Sequence, residues 1–338
     1  MRISIQISAV CIAVMLAVGG VAAQSTTVRI GVPERDNLQY LTLWVALGAG
    51  YFQAEGLDPQ IVVAERANQA GQLLMQDRAD VSLLQPPIFL GMIAQQRPIV
   101  LFANLLANDP VSLIVQRDVA TRLKLDPRAP LADRLKALKG LRIGTSNEQP
   151  RRLRVLMAEA GMDTERDIQM TIIPGDEHLT VFKEGVVDAL YTHSPFLEEA
   201  IVNLGAVLIV NQAAGEVPAL SNGQIHSLAT TRAFADAHPD RVLAITRAIA
   251  RAETLIHTDI TVARQAILKA GVTVPSPKHL ETIVDLYRPA VPTTPRVSAA
   301  LVENDATLYP ARPSAPDFSK IHAADFVALD FAERALSR

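Results

Sequence analysis

The sequence predicts an α/β protein of two similar lobes, each a mixed, mostly parallel sheet flanked by helices. Three observations predict it: β-branched runs alternate with apolar helical stretches, glycines stop those stretches, and one order of landmarks occurs twice. Residues 27–32 (TVRIGV) read as the first strand, ending at Pro33. Residues 41–47 are continuously apolar and fit a buried helix, stopped by Gly48 and Gly50. Residues 60–63 and 80–84 follow as strands. Gln85-Pro86-Pro87 then opens another helix, because proline is tolerated in a first turn, where its missing N–H would lack a partner anyway.

The repeated order supplies the second lobe. Val28-Arg29-Ile30-Gly31 is matched by Leu141-Arg142-Ile143-Gly144. Each leads through a polar loop, an apolar helix and a glycine stop into a further strand: Gly50 then Ile61-Val62-Val63, and Gly161 then Thr171-Ile172-Ile173. The segment DVSLLQPP (80–87) matches DALYTHSP (188–195) without a gap, which sets Gln85 opposite His193 and Pro87 opposite Pro195. Open α/β sheets bind ligands beyond the carboxyl ends of their strands. The loops after Gly31, Leu84, Gly144 and Thr192 are therefore expected around one cleft. From residue 242 a long helical pattern runs into a stretch rich in proline (Pro275, Pro277, Pro289, Pro292, Pro295). It has no counterpart in the echo and is expected to wrap back over the first lobe, ending in a helix over 323–336. The expected division is 24–108 for the first lobe, 109–240 for the second, and 241–338 for the returning C-terminal part.

The first 23 residues read as an export signal. Arg2 is followed by an apolar core over 9–18 and by Val21-Ala22-Ala23, a small-residue cleavage pattern. A membrane-spanning helix needs roughly 20 apolar residues, and Gly19-Gly20 interrupts this run. Cys11 follows Val10 inside the apolar core, where a lipoprotein site would need a small residue, so lipidation is not expected. Removal of the signal takes away Arg2 and no acid, moving the net charge from -3 to -4. That balance argues against a nucleic-acid partner, which calls for a basic face. Cys11 is the sole cysteine, so the mature chain has neither disulfides nor a thiol nucleophile. Gly48-Ala49-Gly50 lacks the third glycine of a dinucleotide fingerprint, and G-x-S-x-G, P-loop and H-E-x-x-H motifs are missing. The histidines stand singly, without the spacing of a metal pair. No catalysis, metal or cofactor is therefore expected.

The run RIGVPERDNLQYLTLWVALGAGYFQAEGLDPQIVV resembles the opening of the nitrate-, sulfonate- and thiamine-precursor-type solute-binding proteins of ABC transporters. The motif GYFQAEGLD (50–58), then Arg78-Ala79-Asp80-Val81, LKGLRIG (138–144) and Gly185-Val186-Val187-Asp188-Ala189 keep that family's order, over roughly residues 28–260. The resemblance implies a type II periplasmic clamshell with two crossings between lobes. It also implies a periplasmic monomer that hands a small molecule to an ABC permease. The ligand stays open between an organic anion, such as a sulfonate or carboxylate, and a small heteroaromatic. Two other readings share the fold: an exported module feeding a membrane sensor, and a pyrimidine-handling enzyme.

Candidate ligand-binding residues come from the cleft loops. Gln39 and Tyr40 stand where the resemblance places a first contact. Gln85, between an apolar strand and Pro-Pro, has no evident local partner. Asn147 reads as the cap of the helix entered through Pro150, and with Ser146 offers donors from the second lobe. His193 stands in His-Ser-Pro-Phe where the family usually has Trp-Glu-Pro-Phe, a departure that unsettles any inherited ligand. Asn222 is a lesser candidate, since Asn-Gly is first of all a turn. Trp44 reads as core. For an anionic ligand the available cations are Arg35, Arg151, Arg152, His178 and His193. Hinges are expected near Asn108-Asp109 and after Thr231.

Overall fold

The computed structural model describes residues 25–309, 317–318 and 321–337; the expected export signal, 1–23, lies outside them. The β-branched runs become two five-stranded sheets. In the first, β1 (Thr26–Val32), β2 (Leu57–Val63) and β3 (Val81–Leu84) run parallel. β4 (Ile99–Leu106) completes its far edge. In the second, β6 (Arg142–Thr145), β7 (Gln169–Ile172) and β8 (Ala189–Thr192) run parallel, and β5 (Ser112–Val115) and β9 (Val207–Asn211) complete it. A last strand, β10 (His226–Thr231), returns to the first sheet between β3 and β4, antiparallel to both. The orders are β2-β1-β3-β10-β4 and β7-β6-β8-β5-β9, the same pattern twice. The protein is therefore two-lobed, with a mixed, mostly parallel sheet in each lobe.

The echo extends to side chains. Arg29 grips Asp80 through Nη2–Oδ1 at 2.6 Å, with its backbone N–H donating to Oδ2 at 2.7 Å. Arg142 repeats both contacts on Asp188 at 2.8 and 2.9 Å. The paired glycines answer one need, close approach. A Cβ on Gly31 would lie 2.7 Å from Ser82 Oγ, and one on Gly144 would lie 2.5 Å from Ile173 Cδ1.

The chain crosses between lobes at 107–111 and 212–225. The crossings are bonded to each other: Asn222 N–H donates to Asn108 Oδ1 at 3.0 Å, Asn108 Nδ2 donates to the Ala213 carbonyl at 3.0 Å, and Asp109 N–H donates to the Leu220 carbonyl at 3.1 Å. The second crossing thus precedes β10, where the sequence suggested a hinge after Thr231. The chain is also back in the first sheet by His226, inside the 109–240 stretch expected for the second lobe. Pattern alone does not reveal this exchange, because a strand buried on both faces reads alike in either sheet.

The C-terminal part wraps over the first lobe and also reaches the second. Helix Pro239–Thr258 buries Val242, Ile245, Ile249, Ala252 and Ile256 on one face and packs on helix Leu41–Gly48. Helix Leu329–Leu336 packs on it in turn, preceded by a separate turn at Ala324–Phe326 where one helix over 323–336 was expected. Helix Pro277–Tyr287 lies instead on helix Phe196–Asn203 of the second lobe. Tyr287 OH accepts from Ser194 N–H at 2.8 Å, and His279 Nε2 lies 2.9 Å from a Glu199 carboxylate oxygen.

Candidate ligand-binding site

A cavity of about 200 Å³ opens between the two sheets, at the carboxyl ends of their parallel strands. Its first-lobe wall starts in the loop after β1. Asn37 Oδ1 accepts from Gln39 N–H at 2.9 Å, while Asn37 Nδ2 donates to Glu34 Oε2 at 2.8 Å. Trp44 Nε1 donates to the Asn37 carbonyl at 2.9 Å, which ties the turn to the buried helix behind it. The turn so held aims Gln39 across the cleft. Its Nε2 lies 3.0 Å from His193 Nδ1 in the second lobe, and its Oε1 lies 3.0 Å from His226 Nε2 on β10. His193 Nδ1 is also 2.7 Å from the Ser194 carbonyl. Burial pushes the His193 imidazole below its ordinary pKa, and pushes His226 down to about 3, so both rings are neutral at neutral pH.

Gln85 finds a partner the sequence did not suggest. Its Nε2 donates to Tyr40 OH at 3.0 Å, and the Tyr40 ring meets His226 edge-on with centroids 5.3 Å apart. Burial raises the Tyr40 pKa well above its ordinary value, so the phenol stays protonated. Tyr40 itself is fully buried and lies behind Gln85, outside the cavity lining.

The second-lobe wall is the loop after β6. Helix Pro150–Ala158 starts from Gln149, whose Oε1 accepts from Thr145 Oγ1 at 2.8 Å. Asn147, expected as the cap, is exposed two residues earlier. The helix takes Gln149 because its backbone carbonyl receives the Leu153 N–H at 3.0 Å. Arg152 projects from the first turn and pairs with Asp109 of the first crossing, Nη1 to Oδ2 at 2.6 Å. Burial opposes its charge most strongly, but Asp109 and the neighbouring Tyr309 and Tyr191 together outweigh it and keep the guanidinium ionised. Tyr309 stacks under Arg152 at 4.7 Å and its OH donates to the same Asp109 oxygen at 3.2 Å.

Of the seven residues singled out in the sequence, Gln39, Gln85, Ser146 and His193 line this cavity. Tyr40 stands behind it, Asn147 faces solvent, and Asn222 belongs to the crossing that bonds Asn108. Of the five cations, Arg152 and His193 line it. Arg151 is exposed, Arg35 donates to the Ala270 carbonyl at 2.7 Å, and His178 is buried between Thr192 Oγ1 and the Ile173 carbonyl. Sequence reasoning missed His226 and Tyr309. His226 becomes visible only once β10 is known to return to the first sheet, and Tyr309 lies in a stretch without any motif. Among the described residues no cluster of His, Cys, Asp and Glu could hold a metal ion. None of their helices is long and apolar enough to cross a membrane.

The family model described as NMT1-like matches residues 21–270. The chain belongs to the NMT1-like family. The family span includes the lining residues named above except Tyr309. No curated protein matches the sequence. Among solved structures, a protein from Bordetella bronchiseptica RB50 is 22% identical with a TM-score of 0.65, over 92% of this chain and 97% of that one. The alkanesulfonate-binding protein SsuA from Xanthomonas axonopodis pv. citri, bound to MOPS, is 16% identical at 0.60, over 91% and 99%. A DszB mutant in complex with biphenyl-2-sulfinic acid is 17% identical at 0.59, over 93% and 99%. Periplasmic sulfonate- and nitrate-binding proteins recur among the structural neighbours of this NMT1-like chain. At such identities these likenesses show the shared two-lobed fold.

Proposed function

We propose that this protein is an exported receptor that takes a small organic molecule into the cavity between its lobes and presents it to the permease of an ABC importer. The observation that carries the reading is the cavity itself, walled by loops from both lobes and bridged by Gln39 and His193. A ligand held by both walls stabilises the closed form, and a partner reading the closed surface then distinguishes loaded from empty protein. Family membership and the solute-binding neighbours support this reading, as does the expected export signal.

Two measurements test it. A thermal-shift screen of small carboxylates, sulfonates and heteroaromatics should find a ligand that adds roughly 2.7 kcal/mol at a hundred times its Kd. The loaded protein should then stimulate the ATPase of the cognate permease complex in vesicles more than the empty protein does. Equal ATPase rates with loaded and empty protein would reject the transport role.

A further inference from the structure

We infer that Asp109 is a specificity-determining residue, which cancels the charge of Arg152 in the cavity wall and so turns the site from free anions to an uncharged ligand. The inference rests on the receptor reading and names the class of its ligand. Arg152 is the only lysine or arginine among the described lining residues. Its side chain and that of Asp109 are 8% and 2% exposed and meet at 2.6 Å. Both oxygens of Asp109 are engaged, Oδ2 by Arg152 and Tyr309 OH, and Oδ1 by Val111 N–H at 2.9 Å. The pair is therefore fixed, and an entering anion meets a guanidinium already neutralised by a carboxylate at its side. Displacing that carboxylate would leave it buried and uncompensated, the costly outcome for any buried ion pair.

The second usual source of anion affinity, the N–H groups at helix N-termini, is also curtailed. Helix Pro86–Ala94 begins with two prolines, and its next N–H groups, Ile88 and Phe89, both donate to the Gln85 carbonyl at 2.9 and 3.1 Å. Helix Pro150–Ala158 begins with proline. Before helix Phe196–Asn203 stands Pro195, and the N–H groups of Phe196 and Leu197 both donate to the His193 carbonyl at 3.0 Å. What remains along the wall is the carboxamides of Asn37, Gln39, Gln85 and Gln149, the Ser146 and Tyr309 hydroxyls, two neutral imidazoles and the Glu34 and Glu148 carboxylates. That set suits an uncharged molecule carrying both donors and acceptors, and opposes a sulfonate or nitrate.

The test uses matched probes on the full mature chain, read by saturation-transfer NMR at millimolar concentration. Nicotinamide is set against nicotinate, and ethanesulfonamide against ethanesulfonate. The wild type should prefer the amide of each pair. Preference for either anion, or binding of none of the four, overturns the inference. Asp109→Asn keeps the shape and an acceptor for Val111 N–H while removing the charge. It should bind ethanesulfonate at least about tenfold more tightly than the wild type, with an affinity that falls as salt is added. Tyr309→Phe leaves both charges in place and should gain no anion binding. A folded Asp109→Asn protein without that gain overturns the role of Asp109. An anion preference in the wild type leaves the receptor reading intact, whereas that reading fails only in the permease experiment.

Discussion

Gln39 of the first lobe and His193 of the second meet side chain to side chain at 3.0 Å, with His226 holding the other end of the same carboxamide. One amide thus contacts two neutral imidazoles, and His193 Nδ1 serves either the Gln39 amide, as acceptor, or the Ser194 carbonyl, as donor, according to its tautomer.

This contact is expected to report on ligand capture. Gln39→Ala and His193→Ala should each weaken binding three- to tenfold, the usual cost of about 0.5 to 1.5 kcal/mol for one hydrogen bond. Gln85→Ala, on the same cavity wall, should do the same without unfolding the protein. The Gln39/His193 double variant should lose less than the sum of the single losses, because either one already breaks the bridge. Calorimetric titration of the four proteins with the screened ligand decides, and strict additivity would place the two residues in separate contacts.

Closure should be measurable in solution. The crossings at 107–111 and 212–225 are the only backbone links between the sheets among the described residues of the family-matched span, so they are where the lobes are expected to pivot. Small-angle scattering at saturating ligand should give a smaller radius of gyration than the empty protein. An unchanged profile would mean that helix Pro277–Tyr287, bonded to the second lobe at Ser194 and Glu199, already holds the lobes together.

Glu198 sets a pH dependence of stability. Burial, only partly offset by the Ser194 hydroxyl, raises its pKa to about 7, above the usual glutamate value of roughly 4.3. The folded state therefore holds this proton more tightly than the unfolded chain. Its contribution is full below about pH 4.3, is lost as pH rises to about 7, and amounts to about 4 kcal/mol. Asp305, also raised to about 7 by burial, acts with the same sign. Glu198→Gln should show a shallower fall in melting temperature across this window and exceed the wild type at mildly alkaline pH. Parallel curves for the two proteins would contradict the assignment.

Glu253 is a destabilising residue in the core. It is fully buried in helix Pro239–Thr258, neither carboxylate oxygen has a partner among the described residues, and burial raises its pKa well above the ordinary value. Glu253→Met keeps most of the volume and removes an unpaired polar group. It should stabilise the protein by about 1 to 3 kcal/mol, measured by denaturant unfolding. A loss of stability would reveal a partner for the carboxylate.

The pairing of Arg29 with Asp80 and of Arg142 with Asp188 explains why the two lobes were legible in the sequence. Each pair joins an arginine on one strand to the aspartate just before the neighbouring strand, so both residues recur at fixed places in the pattern. Gln85 and His193 were legible for the same reason, as the residues that follow equivalent strands. Asn147 misled because its side chain suits a helix cap, yet Gln149 holds the position two residues later through its backbone carbonyl, which receives the Leu153 N–H. His226 and Tyr309 left no local trace. Their place depends on contacts across 187 residues to Gln39 and 200 residues to Asp109, which no local spacing encodes.

The exchange of β10 into the first sheet also has a bearing on how the chain reaches its native form. β3 and β4 emerge early but share no edge until β10 inserts between them, more than a hundred residues later. The second sheet, by contrast, is one uninterrupted stretch from β5 to β9 and can assemble as soon as that stretch has emerged. The lobe synthesised first is therefore the last to be finished, and until then its apolar strands need shielding from one another and from other chains.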